Sequence, residues 1–300
     1  ARAFGISYLH SVMGWYPEKT TRWPDTLECS GEPASVLGFE GLTACMASAL
    51  SAIPGVAGYY TVDEEQTELA ARVFEQYVQL RAHDSDSLAL IVQAKEQELE
   101  RWRDVGDVIG VDGYPIFGEY PNPWPADPLA PLDKVLTTVE VAQEACEHSR
   151  PVWNVVQFYK PTAQSHFPTY DELRIMSWMA IIAGAKGLFY WSYGAKGLAW
   201  VKPEELREEY WQRLVKVTQE IKDLEPVLLE PDAPEAILAS DPDLSVLAKR
   251  HDGTLYVFAV NRTPTIRDAS ITVAIPSVRA DVLHESRTLA ASAGTLDLRD

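Results

Sequence analysis

Along the first three-quarters of this chain, short apolar runs alternate with stretches of helical spacing. The runs lie at residues 3–9, 57–62, 88–93, 105–114, 151–157 and 186–193. Each is short and rich in β-branched or aromatic residues, as a buried strand is. Between and after them, helical periodicity appears at 39–52 (Leu42, Cys45, Met46, Ala49, Leu50), 66–80, 94–103, 133–148, 169–182 and 203–224. Thr169 with Glu172 predicts a capping box, and Pro203 suits the first position of the last helix. Six strand–helix alternations predict parallel strands joined by crossover helices. Six is two short of a (β/α)8 barrel, and the chain opens at Ala1 almost within a strand. The expected α/β fold is therefore a TIM barrel that is N-terminally incomplete, over residues 1–226.

Past Pro226 the rhythm changes to period-two alternation at 244–251 and 254–260, joined through Asp252-Gly253, a strong hairpin signal. Short strands at 269–275 and 278–284 follow. Residues 227–300 are expected to form a small antiparallel β-sandwich that leans on the barrel, because so few residues make a marginal core.

The candidate chemistry sits where apolar runs stop. Ala57-Gly-Tyr-Tyr-Thr-Val-Asp-Glu-Glu65 ends in carboxylates, and so does Asp107-Val-Ile-Gly-Val-Asp112-Gly-Tyr-Pro115. In a closed barrel the C-terminal ends of strands reach substrate. Glu64 and Asp112 are thus the candidate acid–base pair, with Glu64 as acid, its pKa raised by Tyr59, Tyr60 and the Asp112 charge, and Asp112 as base or nucleophile. Two strands separate them, which predicts side chains roughly 6–10 Å apart. A second reading of the first motif stays open: Asp63 as a helix N-cap, with Gln66 completing a capping box. For Asp112 a turn at Asp-Gly is the corresponding alternative.

Composition narrows the partners. The 300 residues carry a net charge of −18, which repels nucleic-acid phosphates and anionic membrane surfaces, and no stretch is long and apolar enough to span a bilayer. Neutral sugars are compatible with that charge. Scattered histidines, no phosphate loop and no dinucleotide fingerprint leave no cofactor or metal expected. Of the three cysteines, Cys29 and Cys45 are able to pair in an oxidising compartment, which slightly favours an extracellular or periplasmic location. Nine tryptophans and thirteen tyrosines suit sugar stacking. Trp124, Tyr159, Trp191 and Tyr193 are placed near strand ends or in loops, whereas Trp153, Trp178 and Trp211 are read as packing. His10 ends the first strand and is a candidate for a sugar hydroxyl.

Taken together, 58–64, 107–115, Pro168-Thr-Tyr-Asp-Glu-Leu-Arg174, Ala183-Gly-Ala-Lys-Gly-Leu-Phe-Tyr-Trp-Ser-Tyr193 and Gly253-Thr-Leu-Tyr-Val-Phe-Ala-Val-Asn261 resemble the glycoside-hydrolase-type TIM barrels of the β-galactosidase clan, with their C-terminal β-sandwich. The resemblance implies a glycosidase that takes an oligo- or polysaccharide. It makes the strands the third to eighth of the barrel and puts Glu64 at the acid/base position. Asp63 stands where Asn is usual. Trp191 becomes the aromatic floor of the sugar subsite, with a cis bond after it. By their own positions, Tyr114, Tyr159, Tyr193 and His10 join Asp63 and Trp191 as candidate substrate contacts. At the seventh strand the clan keeps a nucleophilic Glu, whereas this chain has Gln157, which is able to bind a hydroxyl but not to form a glycosyl ester. Asp112 supplies the second carboxylate, or Glu119 does from its loop, or the barrel binds carbohydrate without cleaving it. A lyase or aldolase reading has Lys160 alone as its candidate amine.

Overall fold

The computed structural model describes residues 6–13, 28–116, 132–162, 165–194, 197–234, 237–263, 265–266, 268–273, 279–285, 287–292 and 294–298. Glu119, Trp124 and most of the 15–32 loop fall outside the described residues. Six strands lie in one sheet in chain order. They are β1 (Tyr8–Ser11), β2 (Val56–Asp63), β3 (Leu88–Gln93), β4 (Val108–Val111), β5 (Val152–Gln157) and β6 (Gly187–Trp191). The registers from β1 through β5 are parallel. Such pairing needs long crossovers. Helices α1 (Ala34–Ser51), α2 (Ala70–His83), α3 (Asp133–Ala145) and α4 (Tyr170–Ile182) supply most of them, and α5 (Glu204–Asp223) follows β6. In β3 and β4, all residues but Leu88 are buried, as apolar strands covered on both faces should be.

Two helix expectations change. Residues 94–103 form a 3-10 turn at Glu96–Arg101, not an α-helix. Leu99 and Trp102 are both fully buried, and residues three apart share one side in a 3-10 turn as they do in an α-helix, so their spacing does not separate the two. The helix expected from residue 66 starts as a 3-10 turn at Thr67–Leu69 and becomes α-helical only at Ala70. The capping box on α4 is present in both directions, Thr169 to Glu172 and back.

Contacts group the chain into two compact units: residues 1–112 with 140–154, and residues 113–139 with 155–300. In the first unit Val12, Ala47, Leu50, Tyr59 and Leu80 make one core cluster. A disulfide joins Cys29 to Cys45, beside the buried Leu42. In the second unit β8 (Leu244–His251) and β9 (Thr254–Asn261) form the hairpin, with Asp252 and Gly253 both at positive φ. A five-stranded sheet accompanies it, built from β7 (Ile237–Ala239), β10 (Ala269–Val273), β11 (Arg279–Val282), β12 (Arg287–Ser292) and β13 (Thr295–Leu298). Ile271, Val273 and Leu296 of that sheet pack against Val246, Leu255 and Val257 of the hairpin, the face-to-face arrangement of a sandwich. The hairpin also leans on α4, where Trp178 stacks on Phe258 at 5.2 Å. No helix among the described residues is long and apolar enough to cross a membrane.

Candidate active site

A bulge in β2 builds the acidic cluster. Against β3, Tyr60 pairs with Leu90 and Val62 with Ile91, so Thr61 is the extra residue. Its hydroxyl donates to the Leu90 carbonyl at 3.1 Å. In a regular strand, residues three apart point to opposite faces. The bulge cancels that alternation, and the Tyr60 hydroxyl donates to Asp63 Oδ1 at 2.8 Å. Asp63 therefore caps no helix. Tyr59 points the other way, donating to Asp84 Oδ2 at 2.6 Å and packing in the core with α1 residues, so it does not act on Glu64.

Glu64 follows the strand in the left-handed region, φ 51°, a conformation that costs a non-glycine residue about 1–2 kcal/mol. Its N–H donates to the Val92 carbonyl at 2.9 Å, which holds the turn. The next carbonyl, that of Glu65, accepts from Gln93 Nε2 at 3.1 Å. Gln93 is the last residue of β3 and is 1% exposed. Glu64 and Asp63 are themselves exposed.

Asp112 lies just past β4 and is 5% exposed. It is hydrogen-bonded to Glu64, closer than the 6–10 Å expected across two strands. Burial, that hydrogen bond, and the charges of Glu64 and Asp63 push its pKa up to about 8. Its oxygen Oδ1 is buried without a hydrogen-bond partner among the described residues. The Tyr60 phenol is held well above its ordinary value by burial, by Asp63, and by the charges of Asp112 and Glu64, so it stays a donor. No turn forms at Asp112-Gly113.

The remaining candidates have other surroundings. His10 lies in β1, in register with Tyr59. In the second unit Tyr114 and Tyr159 meet edge to face at 5.3 Å. Gln157 is 1% exposed, and its amide is engaged at both ends: Oε1 accepts from the Ile116 N–H and Nε2 donates to the Ile116 carbonyl, each at 2.8 Å. Trp191 closes β6 and is 40% exposed, and the Trp191–Ser192 peptide is cis. Tyr193 packs edge-on against Trp211 at 6.1 Å. Trp211, expected as packing, is 39% exposed. The structure thus brings Asp63, Glu64 and Asp112 together in one unit with Tyr60, which the sequence placed beside Glu64, and adds Gln93, which the sequence reading left out. Gln93 carried a usable signal, a polar residue ending a buried strand. The bond of Tyr60 to Asp63 carried none, since only the bulge turns the ring toward that carboxylate.

No protein-family model matches the chain, and no curated protein is similar to it in sequence. Solved structures do match. A glycoside hydrolase superposes with a TM-score of 0.59 at 13% identity, over 87% of this chain and 64% of its own. A β-galactosidase from the psychrophilic Marinomonas ef1 gives 0.46 at 13%, over 62% and 42%. An endo-β-1,4-mannanase from Thermotoga petrophila gives 0.44 at 12%, over 90% and 76%. The chain spans less than two thirds of the length of the first two. At such identity the likeness shows the fold alone: a parallel sheet with crossover helices, as in an incomplete TIM barrel, followed by antiparallel β-sheets.

Proposed function

We propose that this chain hydrolyses O-glycosidic bonds, with Glu64 and Asp112 as its carboxyl pair. The observation that carries the reading is the buried Asp112, raised to about 8 in contact with exposed Glu64 at the strand ends of a glycoside-hydrolase-type barrel. Glycoside hydrolysis needs one protonated and one ionised carboxyl flanking the bond. A pair sharing a single proton supplies both states at neutral pH. Burial disfavours charge on Asp112 while Glu64 is exposed, so we assign Asp112 as the acid and Glu64 as base or nucleophile, the reverse of the order expected from the clan. The glycosidic oxygen replaces Glu64 as acceptor of the Asp112 proton, and Glu64 is released to the exposed side. How far the sugar parts the two carboxyls, about 5 Å or roughly 6.5–9.5 Å, decides between direct attack and attack through water.

Asp63, Tyr114, Tyr159, Trp191, Tyr193 and His10 are proposed sugar contacts. Gln157, with its amide committed to Ile116, serves to fix the segment after Asp112 and contributes no nucleophile. The catalytic part is residues 1–226, with 227–300 in support, and the substrate is a neutral oligo- or polysaccharide. The disulfide favours an oxidising, extracellular or periplasmic setting.

Aryl glycosides with good and poor leaving groups test the roles. Asp112→Asn is expected to lose about 10²–10⁴-fold on the poor leaving group and much less on the good one, as removal of an acid does. Glu64→Gln is expected to lose turnover on both. Full turnover by both variants on the poor leaving group ends the proposal. The absence of a seventh-strand carboxylate favours one rival, a barrel that binds glycans without cleaving them. Retention on a glycan column, with no product from any glycan, would establish it.

A further inference from the structure

Glu64 sits at φ 51°, and a non-glycine residue keeps such a conformation only where its surroundings over-determine it. The end of β3 supplies that constraint on both sides of Glu64. The Glu64 N–H donates to the Val92 carbonyl at 2.9 Å, and the Glu65 carbonyl accepts from Gln93 Nε2 at 3.1 Å. The first bond joins backbone to backbone and survives a change of side chain. The second depends on one amide. That amide is unfavourable for stability. The other residues of β3, Leu88 to Val92, are all apolar, and Gln93 is buried among the same strand ends. Its Oε1 is buried with no hydrogen-bond partner among the described residues. A buried acceptor left unmade costs free energy that an apolar side chain of similar shape would not. Stability alone therefore favours an apolar residue here, and a polar one standing against that preference points to function. Its direction fits. Val92 is in register with Asp63, so Gln93, next along the strand, leaves the opposite face of the sheet. The amide reaches the turn from behind the acidic cluster.

We propose that Gln93 is a positioning residue for Glu64: by holding the Glu65 carbonyl it fixes the turn that presents the Glu64 carboxylate to Asp112. This rests on the reading of Glu64 and Asp112 as the carboxyl pair. Gln93 acts through Glu64 and is no catalytic residue itself. A misplacement of about 1 Å in a reacting group is enough to cost up to about 10²-fold in rate, so one hydrogen bond behind the sheet is able to matter at the front of it.

Gln93→Met in the full chain tests this, since it keeps the length of the side chain while removing both the donor and the unpartnered acceptor. Gln93→Leu takes its place should Met pack poorly, with the same expectations. The melting temperature is expected to equal or exceed that of the parent, because the lost bond to a half-buried carbonyl is offset by relief of the buried acceptor. On an aryl glycoside kcat is expected to fall about 10–100-fold with KM changed less than about threefold. A third readout needs no turnover. Carbon-13 titration of aspartate-labelled protein, with the Asp112 signal assigned by its loss in Asp112→Asn, follows the contact with Glu64. That contact helps to hold Asp112 at about 8, beside the charges of Glu64 and Asp63. Gln93→Met is expected to lower the Asp112 midpoint by about one pH unit as Glu64 swings away. In a Glu64→Gln background the same substitution should leave the midpoint unmoved, because no carboxylate is left to misplace. An Asp112 midpoint that stays put in Gln93→Met, or falls equally in both backgrounds, overturns the assignment. So does a lowered melting temperature with parental kcat, the result of a purely structural amide. Failure of the hydrolase reading looks different: the parent then turns over no glycoside, while the Asp112 midpoint still moves with Gln93→Met and upholds the positioning role.

Discussion

At the scale of single residues, the acidic cluster is a place where stability is given up. Asp112 binds its proton more tightly when folded than when unfolded, because burial and the Glu64 and Asp63 charges disfavour its ionised form. Between the ordinary carboxylate range and about pH 8, the folded chain therefore holds more protons than the unfolded one. Unfolding free energy falls with rising pH across that window and levels off above it. Asp112→Asn should remove this slope and leave the variant more stable than the parent at pH 8, measured by urea midpoints across a pH series. Glu64 adds a second cost through its left-handed backbone and its place beside two other carboxyls. Glu64→Gly should raise the melting temperature while abolishing turnover, since glycine occupies φ 51° freely and brings no charge. A lower melting temperature would mean that the Glu64–Asp112 hydrogen bond outweighs both costs. Strand-end position alone made Glu64 and Asp112 visible in the sequence. Their direct contact was not visible, because the pairing of β2 with β3 shifts by one residue at Thr61 and no residue type announces that shift.

Among the elements, local chemistry that needs no distant partner read clearly. The Asp252-Gly253 hairpin and the Thr169–Glu172 box depend on neighbours in sequence, and both formed as expected. The 94–103 segment misread because apolar residues three apart, such as the buried Leu99 and Trp102, share a face in an α-helix and in the 3-10 turn that forms at Glu96–Arg101. Another feature hidden from sequence joins α4 to α5. Glu220, 6% exposed, accepts from Arg174 Nε and Nη2 at 2.8–3.0 Å and from Trp178 Nε1 at 2.9 Å. The same Trp178 stacks on the hairpin through Phe258. Removing one carboxylate therefore strands a guanidinium and an indole N–H together. Glu220→Ala should cost about 2–3 kcal/mol in chemical unfolding, below the range for a fully buried ion pair because the Arg174 side chain left behind is 32% exposed. Glu220→Gln, which keeps an acceptor, should cost clearly less. Equal costs would mean that the pair adds nothing beyond shape.

For the molecule as a whole, cysteine chemistry offers a check on how the chain is closed. The sequence left Cys29 and Cys45 only able to pair, because 16 residues of separation say nothing of whether two thiols meet. Folding settles it by setting the short ladder at Glu28–Cys29 and Glu32–Pro33 beside α1, where Cys45 lies on the buried side with Leu42. A loop of this length, once closed, removes about 3 kcal/mol of unfolded-chain entropy. Cys146 is the free thiol, fully buried. Burial pushes it up to about 11 against the opposing charges of Arg103 and Arg150, so at neutral pH it is neither ionised nor accessible. Thiol titration should then read near zero on the native protein, one group after unfolding without reductant, and three after reduction. Reductant should also lower the urea midpoint by an amount close to that of Cys29→Ala with Cys45→Ala. A native count of two would place Cys29 and Cys45 apart, and with them the anchoring of the N-terminal ladder to α1.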